Sequence, residues 1–109
     1  MRLPVLTPVA QNRAYYAIFY IVMALGYLDG FTTGKHHQLR GWFNKYIYET
    51  KKFAPIMSKI YGELMLNREK SDYDILENPT REDVLQDLEK AKLFIDTVKP
   101  YVLQRLAEG

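Results

Sequence analysis

Apolar residues recur every three or four positions along most of the chain, and no stretch alternates in the way a β-strand does. This pattern predicts four main helices, which begin near Thr7, after Gly34, at Pro55 and at Thr80. Short loops between them favour an all-α, up-and-down helical bundle, and we expect residues 1–109 to form a single helical domain.

The first predicted helix is apolar on nearly every side. Residues 14–28 carry no charge, but this run is shorter than the roughly 20 residues that a membrane span needs. The run therefore predicts the central helix of the bundle, and we expect no association with a membrane. Asp29 and Gly30 mark its end, because glycine readily takes the left-handed cap conformation.

A cluster of four aromatic residues, Tyr15, Tyr16, Phe19 and Tyr20, lies in this helix. Neighbouring residues on a helix point about 100° apart, so two of the four must face away from the other two. We expect most of the cluster in the core. The remainder is expected along a cleft or a dimer seam, where an amphipathic ring is well suited.

The fourth helix carries the most regular apolar seam. Its predicted positions alternate between spacings of four and three: Val84, Leu88, Ala91, Ile95, Val98 and Val102. Asp83, three residues after Thr80, predicts a structure like a capping box at the start. Pro100 predicts either a kink or the end of the helix. If it is a kink, the helix could continue from Tyr101 to Leu106.

The apolar stripe of the third helix ends at an arginine. Arg68 follows Ile60 and Leu64 on the same helix face. A guanidinium on the apolar side needs a partner, and the sequence leaves open whether this is a carboxylate, a phosphate or another subunit. Asp72 can pair locally with Arg68 if the helix persists, and Tyr73 can pack and donate a hydrogen bond.

Charge is segregated along the chain although the net charge is only +2. Residues 35–52 hold five cations against one anion, and residues 69–89 hold eight anions against two cations. The segregation indicates charge-steered contact with a subunit or an anionic ligand, or else two solvated helix faces. The basic stretch could follow a phosphate backbone, and such binding would be sensitive to salt.

The chain contains no cysteine, which excludes disulfides and thiolate metal sites and fits a cytoplasmic protein. His36 and His37 are adjacent, so their side chains point about 100° apart and are poorly placed to share a metal ion. We predict neither a metal site nor a cofactor. His36 is expected to pack or to form hydrogen bonds, or to complete a site with Arg68 across the bundle.

Four motifs resemble those of HEPN domains, the higher-eukaryote and prokaryote nucleotide-binding family. They are Arg13-Ala14-Tyr15-Tyr16-Ala17-x-Phe19, His36 with Phe43 and Tyr46-Ile47, Arg68-Glu69-x-x-Asp72-Tyr73, and Ala91-x-x-Phe94-Ile95. The likeness covers about residues 11–100, and the third motif is similar to that of a small prokaryotic branch. HEPN domains usually have a further helix before the Arg-Ala-Tyr-Tyr helix, and the sequence leaves open what replaces it.

The resemblance implies a nucleotide- or RNA-binding module. It further implies a homodimer and a nucleotidyltransferase partner in a toxin–antitoxin-like system. The phosphate-binding arginine of the family corresponds to Arg68, and Asp72, Tyr73 and His36 are the other candidates for ligand contact. Tyr73 is also a candidate acceptor for modification by the partner.

The alternative that the resemblance offers is a metal-independent ribonuclease. In HEPN ribonucleases a histidine follows the arginine after four to six residues and takes a proton from the ribose 2′-hydroxyl. Tyr73 occupies that place here, and a phenol with a pKa around 10 is a poor base at neutral pH. Arg68, Tyr73 and His36 are therefore the candidate catalytic residues of a degenerate Arg-x4-Tyr site.

Overall fold

The computed structural model describes the backbone of residues 3–73 and 80–108, and the side chains of residues 9–70 and 80–108. Within these ranges it contains no β-strand and four α-helices, which are α1 (Leu3–Leu28), α2 (His36–Thr50), α3 (Ile56–Tyr73) and α4 (Arg81–Glu108). The prediction of an all-α bundle with four main helices is therefore confirmed. None of the described helices is long and apolar enough to cross a membrane.

α1 is the central helix, because it contacts each of the other three. Its core face is formed by fully buried residues at helical spacing, namely Tyr15, Ile18, Val22 and Leu25. Three rings, one from each remaining helix, meet there with centroids 5.6 to 6.4 Å apart: Phe43, Tyr61 and Phe94. Tyr20 is 59% exposed, so the aromatic cluster of α1 divides between core and surface as expected.

The helix ends follow local signals, with one correction. α1 begins at Leu3 rather than Thr7. The prediction was wrong because Pro4 is as compatible as Pro8 with a first helical turn, in which backbone N–H groups have no intrahelical partner. Gly30 has φ 81°, as a left-handed cap requires.

The start of α4 confirms the predicted capping box. The N–H of Asp83 donates to Thr80 Oγ1 at 3.0 Å, and the N–H of Thr80 donates to Asp83 Oδ2 at 3.3 Å. The helix then continues through Pro100 to Glu108. Of the two outcomes predicted for Pro100, the structure therefore excludes an end of the helix, and the kink stays a prediction.

The buried seam of α4 differs from the predicted one. Leu88 is 41% exposed and Ile95 only partly buried, whereas Asp87 and Phe94 are buried. Both sets keep spacings of three and four, so periodicity does not distinguish them. Phe94 is selected because its ring fills the space beside Phe43, and Asp87 because it finds polar partners on two other helices.

Contacts near the helix ends define the directions of the helices. Gln11 meets Asp87 near the starts of α1 and α4, and Asp29 meets Arg105 near their ends, each pair at 2.8 Å. These two helices therefore run in the same direction, whereas strict up-and-down alternation over four helices would make the first and fourth antiparallel. α2 and α3 run in opposite directions, because His37 at the start of α2 lies 3.3 Å from Glu69 near the end of α3.

Candidate functional site

Arg68 lies on the inner face of α3, as its spacing predicts. Ile60, Leu64 and Arg68 are 3%, 1% and 8% exposed. The guanidinium carbon of Arg68 lies 5.1 Å from the ring centroid of Tyr15 and 5.7 Å from that of Tyr16. The positive charge therefore rests against two aromatic rings of α1, which stabilise a cation that is removed from bulk water.

His36 is the first residue of α2 and reaches the same part of α1. Its ring stacks on Phe19 with centroids 4.3 Å apart and 10° between the planes. Its Nδ1 lies 2.6 Å from the hydroxyl oxygen of Tyr15. Tyr15 therefore contacts His36 through its hydroxyl and Arg68 through its ring, and joins these two candidate residues. We call Arg68, Tyr15, Tyr16 and His36 the Arg68 cluster.

The protonation states in the Arg68 cluster follow from burial and charge. Burial raises the pKa of Tyr15 to about 12, so the phenol keeps its proton at neutral pH. Burial, and then the nearby charge of Arg68, lower the pKa of His36 below its usual 6.5. At pH 7 the cluster thus combines a protonated phenol, a neutral imidazole and a guanidinium cation.

The hydrogen bond between Tyr15 and His36 fixes the imidazole tautomer. A phenol O–H is a stronger donor than a neutral imidazole N–H, and a bare imidazole nitrogen is a stronger acceptor than a phenol oxygen. Tyr15 therefore donates to Nδ1, and the ring carries its hydrogen on Nε2. Arg68 and the Nε2–H of His36 are both donors, which suits an anion rich in acceptors, such as phosphate.

Asp72 and Tyr73 are the other two predicted site residues. α3 continues to Tyr73, so both positions belong to its last turn. Their side chains lie outside the described residues. The roles predicted for them, including the ion pair between Asp72 and Arg68, stay predictions.

A buried carboxylate next to the cluster was not predicted from the sequence. Asp87 is 2% exposed and accepts hydrogen bonds from Gln11 Nε2 at 2.8 Å and from Asn67 Nδ2 at 3.0 Å. Burial raises its pKa, and the amide groups of Asn67 and Gln11 oppose the shift. Because Asn67 precedes Arg68, this network fixes the end of α3 against α1 and α4.

The sequence contained one signal for this network. Asp87 occupies a core position of the series that also includes Val84, Ala91 and Phe94, and a carboxylate at such a position needs polar partners. Asp87 also lies within the strongly acidic segment of residues 69–89, and this position favoured the interpretation that its side chain is exposed to solvent. The partners come from helices 20 and 76 residues away, so local pattern does not reveal them.

His37, next to the cluster residue His36, faces a different direction. Its Nε2 lies 3.3 Å from a carboxylate oxygen of Glu69, at the surface. Among the described side chains, no three histidine, aspartate or glutamate residues lie together in a way that could hold a metal ion.

Comparison with known families agrees with the fold and with the motifs. The HEPN domain family matches residues 6–101, a range that includes every residue of the Arg68 cluster. The chain belongs to the HEPN domain family.

Two relatives extend this comparison. A Thermotoga maritima protein named "UPF0332 protein" is 32% identical over 93 residues, which cover 85% of this chain and 70% of the relative. A Methanocaldococcus jannaschii protein named "Putative toxin MJ0142" is 26% identical over 96 residues, which cover 88% of this chain and 65% of the relative. The chain thus spans about two thirds of the length of each. No solved structure matches the chain significantly.

Proposed function

We propose that this chain is a HEPN module that binds a nucleotide or RNA through the phosphate-recognising Arg68 cluster. The observation that carries the proposal is the position of Arg68 against the rings of Tyr15 and Tyr16, beside a neutral His36. Arg68 supplies a positive charge and a fork of N–H donors. The rings hold the guanidinium in place, so less conformational freedom is lost when a ligand binds.

A ligand would reach the cluster from the side of Tyr16 and His36. Both residues are only partly buried, whereas Tyr15 is fully buried. The Nε2 of His36 makes no hydrogen bond with the described residues, so its N–H is available to a phosphate oxygen. Asp72 and Tyr73, in the last turn of α3, are the candidates that would complete the site.

Binding without cleavage is the form of this function that the geometry supports best. A ribonuclease needs a base to accept the proton of a ribose 2′-hydroxyl. The accepting nitrogen of His36 is already engaged by Tyr15 at 2.6 Å, and its other nitrogen carries a hydrogen. The alternative is a metal-independent ribonuclease in which Arg68 holds the phosphate and Tyr73 or His36 replaces the motif histidine.

Incubation of the purified protein with ligand and with generic RNA distinguishes the two functions. The proposal expects ATP or RNA to raise the unfolding temperature and the RNA to remain intact. Cleavage of the RNA that is lost in Arg68→Ala would establish the ribonuclease instead. Absence of stabilisation by either ligand, with no cleavage, would contradict both.

We also propose that the module belongs to a cytoplasmic toxin–antitoxin-like pair and that its partner is a nucleotidyltransferase. The support is membership of the HEPN family and the toxin name of the M. jannaschii relative. Tyr73 is the proposed acceptor of a nucleotidyl group. Intact-mass measurement after incubation with a co-purified nucleotidyltransferase and ATP should show one added group, which Tyr73→Phe should abolish. An unchanged mass counts against this pairing.

A homodimer is the assembly that we propose. A groove of about 630 Å³ lies between α1 and the end of α4, with Tyr20, Met23, Tyr27 and Leu106 among its lining residues. Tyr27 is 69% exposed, and contiguous exposed apolar surface commonly marks an interface. Light scattering at micromolar concentration should give twice the chain mass, and Tyr27→Glu should reduce it to one chain. A monomeric wild-type protein would contradict the assembly.

A further inference from the structure

The face that α2 and α3 turn to solvent contains two cavities separate from the Arg68 cluster. One has a volume of about 330 Å³, and its lining includes His37, Arg40, Lys59, Gly62 and Glu69. The other has a volume of about 460 Å³ and lies where α2 joins α3. Its lining includes Asn44, Tyr48, Lys51, Lys52 and Ser58.

These two cavities share no lining residue, but they follow one another along the surface between α2 and α3, which we call the groove. The α2 residues that line them follow one another at spacings of three and four: His37, Arg40, Asn44 and Tyr48. Lys51 follows as the C-cap of α2. Such a series lies on a single helix face, and the α3 series from Ser58 to Glu69 runs beside it in the opposite direction. His37 and Lys51 are about 21 Å apart at a helical rise of about 1.5 Å per residue. The groove begins next to His36 of the Arg68 cluster.

Arg40 occupies the middle of the groove and lies against α3 at Gly62. A Cβ atom at Gly62 would come within 2.5 Å of a terminal guanidinium nitrogen of Arg40 and 2.9 Å of its Cζ. Glycine weakens the interior of a helix, and at this position its missing side chain makes room for the arginine. Arg40 forms no ion pair or hydrogen bond with the described residues.

The charge of the groove is positive once its ion pairs are considered. Of the two carboxylates in its lining, Glu63 is neutralised by Lys90 at 3.1 Å. Glu69 lies 3.3 Å from His37, which is charged only when it is protonated, so Glu69 keeps its negative charge beside a neutral imidazole. Arg40, Lys51, Lys52 and Lys59 have no carboxylate partner among the described residues. An elongated anion would therefore meet four cations and one carboxylate, with the Lys52 ammonium at the α4 side, 5.7 Å from the Tyr101 ring centroid.

We propose that the groove between α2 and α3 binds the phosphodiester backbone of single-stranded RNA that extends from the Arg68 cluster to Lys51 and Lys52. The proposal rests on the proposed function and selects RNA over a mononucleotide as its ligand. At about 3.4 Å per stacked nucleotide, the groove accommodates roughly six nucleotides. Tyr48, 77% exposed and 5.4 Å from Lys51 Nζ, offers a ring on which a base can stack.

An acidic polypeptide would be attracted by the same cations, but the groove fits RNA better. A single strand presents a phosphate and a flat base in every nucleotide. The groove pairs cations with exposed aromatic surface at Tyr48 and begins beside the rings of Tyr16 and His36. Charge with adjacent stacking surface is the combination that single-strand binding proteins use.

Fluorescence anisotropy with a uridine dinucleotide and a uridine octanucleotide tests the groove. The wild-type protein should bind the octamer at least tenfold more tightly. The combined variant Arg40→Gln, Lys51→Gln and Lys52→Gln should lose most of this advantage, while its affinity for the dinucleotide stays unchanged. The slope of log affinity against log salt for the octamer should become less negative by about 2, since each of the three lost phosphate contacts on a single strand contributes roughly −0.7.

Three outcomes would contradict the proposal that the groove binds RNA. They are an octamer that binds no more tightly than the dinucleotide, a triple variant with unchanged octamer affinity and salt slope, and an octaglutamate peptide that displaces the RNA as well as unlabelled RNA does. A different result would contradict the proposed function, which is phosphate binding by the Arg68 cluster: an unchanged affinity of Arg68→Lys for the dinucleotide.

A second variant tests the position of Arg40 without removing any charge. Gly62→Ala should displace the flexible end of Arg40 and weaken octamer binding several-fold, with an unfolding temperature equal to or above that of the wild type. Gly41→Ala is the matched control, because a Cβ there meets nothing within 4 Å, and its octamer affinity should equal that of the wild type. Wild-type affinity in Gly62→Ala would contradict the role of Arg40.

Discussion

Two arginines of this bundle lie over tyrosine rings, Arg68 beside the middle of α1 and Arg105 beside its C-terminal end, and their surroundings differ. Arg105 lies 5.8 Å from the ring centroid of Tyr101 and donates to Asp29 at 2.8 Å. Both partners of that ion pair are partly exposed. Arg68 is buried against the rings of Tyr15 and Tyr16, next to a histidine and a buried carboxylate network.

The difference distinguishes a structural contact from a candidate binding site. Arg105 and Asp29 satisfy each other and fix the end of α1 to α4. The hydroxyl of Tyr101 adds a 3.2 Å contact to that of Tyr46 on α2. The Arg68 cluster contains a donor on His36 that makes no hydrogen bond with the described residues, beside a buried cation that lies against two aromatic rings.

The largest effect on stability is expected from the network that supports Arg68. Asp87→Ala leaves the amide groups of Gln11 and Asn67 without their buried acceptor, and we expect a loss of about 2 kcal/mol in the free energy of unfolding. Urea unfolding measures this. Asp96→Ala, which removes the exposed partner of Lys92, is the control and should unfold close to the wild type. Equal stability of the two variants would contradict a supporting role for Asp87.

A smaller effect is expected at the Arg105 end. Arg105→Gln should lower the unfolding midpoint by less than Asp87→Ala, because the ion pair is partly exposed. Asp29→Asn should cause little further loss when it is combined with Arg105→Gln, since the two residues act as a pair. Fully additive losses in this double-mutant cycle would show that the contact is not the source of the stability.

The smallest effect is a pH dependence at His36. Its pKa is lowered in the folded protein by burial and by Arg68, so the unfolded chain binds the proton first as the pH falls. The contribution to stability is therefore complete above about pH 6.5 and is lost as the pH falls through the lower pKa of the folded state. Thermal unfolding between pH 7.5 and 5 should show a decline that His36→Gln reduces and His37→Gln retains. An identical decline in both variants would assign it to other groups.

The sequence predicted the helices and the face on which Arg68 lies, because both depend on local periodicity. Ile60, Leu64 and Arg68 are spaced four residues apart and so share one helix face. Because Ile60 and Leu64 are buried, Arg68 is buried too. The capping box at Thr80 and the glycine cap at Gly30 are equally local signals.

The contacts that make up the candidate site depend on residues far apart in the chain and were less predictable. Tyr15 was identified only as one member of an aromatic cluster, although it joins His36, 21 residues away, to Arg68. Asp87 was overlooked because its amide partners lie on α1 and α3. The place that Gly62 provides for Arg40 depends on the packing of α2 against α3, which periodicity does not describe.

The central claim is that Arg68 binds a phosphate ligand and that Arg105 does not. Isothermal titration of ATP and of a short RNA into the wild type, Arg68→Lys and Arg105→Lys tests it most directly. Both variants keep the positive charge and lose the forked guanidinium. The account predicts that binding weakens by about tenfold or more, roughly 1.4 kcal/mol, in Arg68→Lys and is unchanged in Arg105→Lys. Equal affinities in the two variants would contradict it.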